Sequence, residues 1–381
     1  MSAELGFILS AVRRFMDPNM GLDDLEGLDW TTLEELAPRH RVVRMVSTAL
    51  LNAQLPLAVT SRVSDGQQQA VRTSLLQTLE LTGLLDVLEE HGIRAVPLKG
   101  PPLSEYLYHD PAVRSSLDID FLVPRDQIFK VRDLLLARGY TLTSKLHWNS
   151  DSACLASREN EISFVDSYGT VSVDVHWRLM PPYFASPFDG MEATPALASI
   201  ELAGRTIQTL APEPLLLYLC SHGAKHAFNR LAWICDIAAL LKKCPDLDWP
   251  AILGQVARTH TSRQLWVGVQ LAVDLLGAPF PPEMPRDPKV QALTRQVTDQ
   301  LLSGTLALPT SRELSSFILQ VLERPEQRLR YLAGSVMTPS EAEYNLLRLP
   351  PFLFFLYYPL RILRLIAKAV VLPFMRSIRE L

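Results

Sequence analysis

Apolar residues recur at helical spacing through the first 90 residues. Leu75, Leu76, Leu79, Leu81, Leu84, Leu85 and Leu88 predict one buried stripe, and Gly92 follows as a helix stop. The period then changes. Ile93–Leu98 is a short apolar run typical of a strand, and Lys99-Gly100-Pro101-Pro102 turns the chain into a short helix with proline at its start. Leu117–Val123 opens with apolar and acidic residues alternating at period two, which predicts a strand. Arg125–Arg138 is amphipathic and helical and is closed by Gly139. Tyr140–Ser144 predicts a further short strand. Glu161–Asp166 and Thr170–Trp177 predict a hairpin, and Gly204-Arg205 marks a second turn inside Glu201–Leu210.

From Pro212 the helical period returns, most clearly in Leu215–Ala227, Leu231–Lys243 and Ile252–Leu276, the last stopped by Gly277. Proline-rich Pro279–Pro288 reads as a linker or ordered loop, with more helices to about Leu347. The pattern predicts an α+β protein: helices over 1–90, a small mixed sheet over 91–210, a helical region over 211–347 and a distinct segment over 348–381.

That last segment is very apolar, but Pro359 and Pro373 enclose only 13 residues. A spanning helix needs roughly 20. Arg361, Arg364 and Lys368 lie three and four apart on one helical face, which reads either as the wet face of a packed helix or as a patch for a membrane surface.

Composition narrows the function classes. Across 381 residues, 48% are hydrophobic and 20% charged, and the net charge is −4. A protein that coats nucleic acid needs a basic excess to neutralise phosphates, so nucleic acid is not a favoured partner. The four cysteines, Cys154, Cys220, Cys235 and Cys244, make no C-x-x-C pair and no zinc-type spacing, as expected of free thiols in a reducing compartment. MSAELGFILSAVRRF carries Glu4 within its short apolar stretch and lacks a small-residue cleavage site. The expected location is the cytoplasm, and, where 349–381 is read as a membrane patch and not as a packed helix, the inner membrane face at its periphery.

Asp118-Ile119-Asp120 holds the chemistry. Residues two apart on a strand share a face, so both carboxylates point one way, roughly 6–7 Å apart, while Ile119 points into the core. Such a pair repels itself unless a cation fills the gap, and Mg2+, or Mn2+, prefers oxygen ligands of this kind. Asp174 falls between Val173 and Val175 and on the opposite face from both, so on a neighbouring strand it can converge with the pair. His176 reads as a satisfied polar residue beside the site and Trp177 as core. Gly100 follows a strand and opens a helix, where backbone N–H groups can meet an anion, with Lys99 and Arg114 as phosphate partners on either side. His222, Lys225 and His226, at i, i+3 and i+4, share one helical face that would line the cleft; no H-E-x-x-H zinc motif is present. Arg230 and Asp236 are a candidate structural ion pair.

Val96-Pro97-Leu98-Lys99-Gly100, Tyr108, Asp110-Pro111, Arg114 and Asp118-Ile119-Asp120-Phe121-Leu122-Val123 resemble the uncharacterised nucleotidyltransferase family of bacteria, within the DNA polymerase beta-like superfamily. The resemblance continues through Asp174-Val175-His176-Trp177-Arg178, His222-Gly223-Ala224-Lys225-His226, Trp233 and Asp236-Ile237-Ala238. It spans about residues 85–245. Two features depart from the superfamily: Pro101 follows Gly100 where Gly or Ser is usual, and the separation between Gly100 and Asp118 is longer.

The resemblance implies metal-dependent transfer of a nucleoside monophosphate from ATP, or another nucleoside triphosphate, to a hydroxyl-bearing acceptor. The acceptor class stays open among small molecules, natural products, peptides and proteins. Asp118, Asp120 and Asp174 would be the catalytic and metal-holding acids, and Lys99, Gly100, Arg114, His222 and Lys225 the nucleotide contacts. The same fold also serves as a growth-inhibiting toxin that modifies tRNA or a protein. A catalytically silent scaffold is the rival from another class.

Overall fold

The computed structural model describes residues 2–23, 26–51, 57–114, 116, 118–143, 159–189, 195–339 and 341–367. Cys154, Lys368, Arg376, Arg379 and Glu380 lie outside them, as do Leu117 and Ser144 at the ends of two predicted strands.

The helices α1 (Ala3–Met16), α2 (Trp30–Arg39), α3 (Val43–Leu51) and α4 (Leu57–Glu90) lead into the sheet region. In α4 the predicted stripe is only half right. Leu81, Leu84, Leu85 and Leu88 are buried, but Leu75, Leu76 and Leu79 are 57%, 58% and 58% exposed. The inward positions one and two turns earlier belong to Ser74, Gln77 and Thr78, all buried. Ser74 Oγ donates to Pro111 O (2.7 Å) and Gln77 Nε2 to Ser116 O (3.1 Å). The helix therefore keeps one face inward, and that face turns from polar to leucine where it reaches the sheet.

A five-stranded mixed sheet runs in the order β1-β2-β5-β4-β3. Its strands are β1 (Val96–Pro97), β2 (Asp118–Leu122), β3 (Thr141–Leu142), β4 (Glu161–Val165) and β5 (Ser172–His176). Among the described residues only β2 and β5 pair in parallel. The helix α5 (Pro101–Tyr108) joins β1 to β2 and α6 (Ile128–Ala137) joins β2 to β3, and β6 (Leu197–Leu202) and β7 (Arg205–Leu210) make a separate hairpin. The residues expected to form one mixed sheet thus form two. Ile119, Phe121, Val123, Ile162, Phe164, Val173, Val175 and Trp177 share a core with the C-terminal half of α4, α6 and the hairpin. By strand alternation the other face of the sheet is left to the polar side chains.

The C-terminal helices are α7 (Pro212–Lys225), α8 (Leu231–Lys243), α9 (Trp249–Thr259), α10 (Ser262–Leu276), α11 (Pro288–Leu302), α12 (Ser311–Val321), α13 (Pro325–Met337), α14 (Glu341–Leu346) and α15 (Tyr357–Ile366). The single helix predicted over Ile252–Leu276 is two. His260 takes a left-handed conformation (φ +53°) and closes α9 without glycine or proline, so its apolar run conceals the break. Residues of α1–α3 and α7–α13 share one hydrophobic core, which also takes in Val96, Leu98 and Leu122.

At the C-terminal arm Arg361 and Arg364 turn inward. Arg361 donates to Ser335 O (3.0 Å), and both arginines pair with Glu343, which is fully buried. Apolar side chains take the outside: Phe352, Phe355, Leu363 and Ile366 are 54–73% exposed. The basic stripe is therefore neither a wet face nor a lipid-facing one at these two positions. A buried carboxylate demands partners, and the arginines supply them. No helix among the described residues is long and apolar enough to cross a membrane.

Candidate active site

The register of β2 and β5 aligns Asp118 with Ser172, Asp120 with Asp174 and Leu122 with His176. Glu161 and Ser163 of β4 stand opposite His176 and Asp174. All of these side chains lie on the face away from the sheet's own core. One ligand atom each from Asp120, Asp174 and His176 falls within 4.8 Å of the others. Asp118 stands outside that trio, one alternation away, half-buried, with its Oδ1 accepting from Ser116 Oγ (3.2 Å).

Asp120 is buried among cations. Its Oδ1 accepts from Lys99 Nζ (3.2 Å) and meets His176 Nε2 (3.0 Å). Burial alone would raise this carboxyl, but Lys99 and His176 outweigh it and hold it well below the usual carboxylate range. Burial would likewise depress the Lys99 ammonium; Asp120, Tyr218 and Asp118 prevail and hold it high. The His176 imidazole, also opposed by burial, is raised by Glu161 and Asp120, since its Nδ1 lies 3.1 Å from Glu161 Oε2. Asp174 behaves differently. Burial first, then the charges of Glu161, Asp120 and Asp118, push it up to about 6 against a hydrogen bond from Ser163. The second oxygen of Asp120, Oδ2, is buried and has no hydrogen-bond partner among the described residues. An acceptor without a donor, beside a carboxyl that its neighbours' negative charge disfavours, suits a divalent cation. The cluster can hold one.

A cleft of about 390 Å³ opens next to it, lined by Arg41, Lys99, Arg114, Asp118, His222, His226, Arg230 and Trp233 among others. Four of these carry fixed positive charge. Of the five residues expected at the nucleotide, Lys99, Arg114 and His222 line the cleft. The Arg114 guanidinium also makes a buried ion pair with Asp236 (2.7 Å), where Tyr108 OH donates as well (3.1 Å). The suggested Arg230–Asp236 pair does not form, because Arg114 takes that acid and Arg230 lies over the Trp233 ring, 5.5 Å from its centre. Lys225 is half-buried, and burial lowers its ammonium while Glu161, Asp120 and Asp174 support it. Burial, then Lys99, keeps His222 neutral.

Gly100 adopts φ +72°, a conformation that favours glycine, and this turn sets Lys99 beside Asp120. Pro101 and Pro102 follow as the first two residues of α5 and offer no N–H. The loop is a poor backbone cradle for phosphate, and side chains would have to take that role.

Sequence reasoning did not select Arg41, which approaches from the N-terminal helices with φ +57° and no strand motif to mark it. It set His176 beside the site without its contact to Asp120, and it did not select Glu161, which meets His176. Period-two alternation from Asp174 was the available signal for His176.

An acidic cluster on the polar face of a small mixed sheet, flanked by helices and a basic cleft, defines an α+β nucleotidyltransferase-like protein. The chain belongs to the uncharacterised nucleotidyltransferase family, whose model matches residues 26–277. It is also similar to the crystal structure of an antigenic nucleotidyltransferase-like protein from Paracoccidioides brasiliensis, at 14% identity and a TM-score of 0.33, over 54% of this chain and 93% of that one. No curated protein matches the chain.

Proposed function

We propose that the protein transfers a nucleoside monophosphate from a nucleoside triphosphate, ATP being favoured, to a hydroxyl-bearing acceptor, in the manner of the DNA polymerase beta-like superfamily. The observation that carries this reading is the unpartnered Asp120 Oδ2, in a crowded acid cluster beside a basic cleft. Asp118, Asp120 and Asp174 would hold Mg2+, or Mn2+, which when bound neutralises phosphate charge and acidifies the attacking hydroxyl. Lys99, Arg41 and Arg230 attract the triphosphate and favour a charged pyrophosphate leaving group. The acceptor oxygen bonds to the α-phosphorus as the bond to the β-phosphate bridge breaks. Asp174, whose carboxyl burial and the acids around it push up from the usual range, is suited to take the hydroxyl proton. His176 and Lys99 hold the Asp120 carboxylate in place.

A small molecule, natural product, peptide or protein remains the acceptor class, and cytoplasmic placement accompanies the reading. The outward apolar face at Phe352, Phe355, Leu363 and Ile366 supports peripheral membrane contact near residues 349–381. Calorimetry with ATP, GTP, CTP and UTP, with and without Mg2+, tests the enzyme. At least one should bind only with the metal; silence from all four, with and without it, would sink the reading.

A further inference from the structure

The cleft beside the acid cluster is cationic over only part of its wall. Lys99 stands against Asp120, whereas Leu308, Pro309 and Leu314 bring apolar surface, and Leu308 is 60% exposed. Leu308 and Pro309 belong to the connection between α11 and α12. Arg39 pins that connection to the cleft. Its guanidinium donates to Leu306 O (3.1 Å), to Ala307 O (3.5 Å) and to Asn229 O (3.0 Å). A purely anionic ligand gains nothing from an apolar wall; one with an apolar part does.

Three rings meet in the same cleft. The His226 ring lies 5.2 Å from that of Trp233 and 4.9 Å from that of His222, and His222 meets Trp233 edge-on at 5.3 Å. Burial first, then Lys225 and Lys99, depress the His226 imidazole to about 3, and burial and Lys99 depress His222 as well. Both imidazoles are therefore uncharged at neutral pH. They give phosphate no ionic attraction, but a nucleobase stacks on flat rings of this kind. Asn229 also lines the cleft, half-buried, and its Oδ1 has no hydrogen-bond partner among the described residues. A carboxamide pairs with adenine at the amino group and a ring nitrogen.

We propose that the nucleobase of the triphosphate, adenine above all, binds among His226, Trp233, Leu308 and Pro309, with Asn229 reading its edge. This rests on the nucleotidyl-transfer reading and names the part of the substrate that the apolar and aromatic wall takes, while the cations take the phosphates.

Calorimetry of the full chain with Mg2+ tests it by comparing ATP with inorganic tripolyphosphate, which has the anionic part and no base. Wild type should bind ATP about tenfold more tightly or better. Leu308→Ser and His226→Ala should each remove most of that advantage and leave tripolyphosphate affinity within about twofold. Leu308→Ser alters an exposed side chain and guards against a variant that fails to fold. ATP should also outbind UTP, whose base lacks the amino group, and Asn229→Leu should bring the two within about twofold. Equal binding of ATP and tripolyphosphate by wild type would overturn the base site and leave the phosphate reading standing. Wild-type ATP affinity in both Leu308→Ser and His226→Ala would do the same. An unchanged ATP-to-UTP ratio in Asn229→Leu would strike Asn229 from the site. Silence from ATP and tripolyphosphate alike, with and without Mg2+, would overturn nucleotidyl transfer and the base site with it.

Discussion

Lys99 Nζ sits 3.2 Å from Asp120 Oδ1 at the centre of the polar face, and the two groups hold each other ionised against burial. The acid cluster thus contains two kinds of carboxyl. Asp120 is stabilised as an anion by Lys99 and His176. Asp174 is destabilised as an anion by burial and by the neighbouring acids.

Their neutral variants should separate in stability and agree in activity. Asp120→Asn leaves Lys99 and His176 buried without their acid, and breaking a buried pair costs about 3–5 kcal/mol. Asp174→Asn removes a charge the fold disfavours and should raise stability by about 1 kcal/mol, discounted for partial exposure. Sequence alone suggests that removing Asp118 or Asp120 relieves repulsion; the pairing of Asp120 reverses that sign. Urea unfolding would compare the variants with wild type. Equal destabilisation of both would contradict the division.

Transfer should fall at least 100-fold, about 2.7 kcal/mol of barrier, in Asp118→Asn, Asp120→Asn and Asp174→Asn. Labelled nucleoside triphosphate incubated with purified protein and cell extract would reveal the acceptor and provide the assay. Near-normal turnover in Asp120→Asn would remove that acid from the mechanism.

His40 predicts a pH effect on stability. Burial first, then Arg39 and Arg230, lower its imidazole from 6.5 to about 4, and Leu231 N–H donates to Nδ1 (3.4 Å). Between those values the unfolded chain binds a proton that the fold refuses, so stability falls as pH drops from 6.5 towards 4 and levels off below. The shift corresponds to a loss on the order of 3 kcal/mol. His40→Gln should flatten this part of the profile whatever its stability at neutral pH. Parallel wild-type and variant profiles would exclude His40 as the cause.

Gly223 allows the close turn that ends α7. A Cβ there would come within 2.2 Å of the Phe228 ring, itself fully buried at φ +47°. Gly223→Ala should destabilise by about 1–3 kcal/mol through overpacking. Phe228→Leu should lose part of its own packing yet recover some of that cost in the double variant. Additive losses across the thermal-melt cycle would mean that the two residues do not meet.

The acid pair on β2 and its partner Asp174 were legible because strand alternation is local and leaves a period-two trace. The turn at Gly100 was legible from the glycine and the two prolines after it, a signal that is also local. Arg41 reaches the cleft through tertiary packing of the N-terminal helices, which no local period records. The polar inward face at Ser74, Gln77 and Thr78 hid behind leucines whose spacing fitted a helix equally well. Arg361 and Arg364 looked like a basic surface stripe because Glu343, the buried acid that recruits them, lies 18 and 21 residues earlier.

That inward turn of the arginines changes what membrane contact should depend on. Phe352, Phe355, Leu363 and Ile366 face outward from the arm, and the hydrophobic effect gives about 25 cal/mol for each Å² of apolar surface withdrawn from water. The full chain should co-sediment with anionic vesicles, and a chain ending at Leu347 should not. Phe355→Asp with Leu363→Asp should abolish binding and leave the melting temperature near wild type, since both side chains are largely exposed. Arg361→Gln should chiefly lower stability, because it strips a partner from buried Glu343. A packing role for the arm predicts another pattern: the intact chain ignores vesicles, and the shortened one melts early or precipitates.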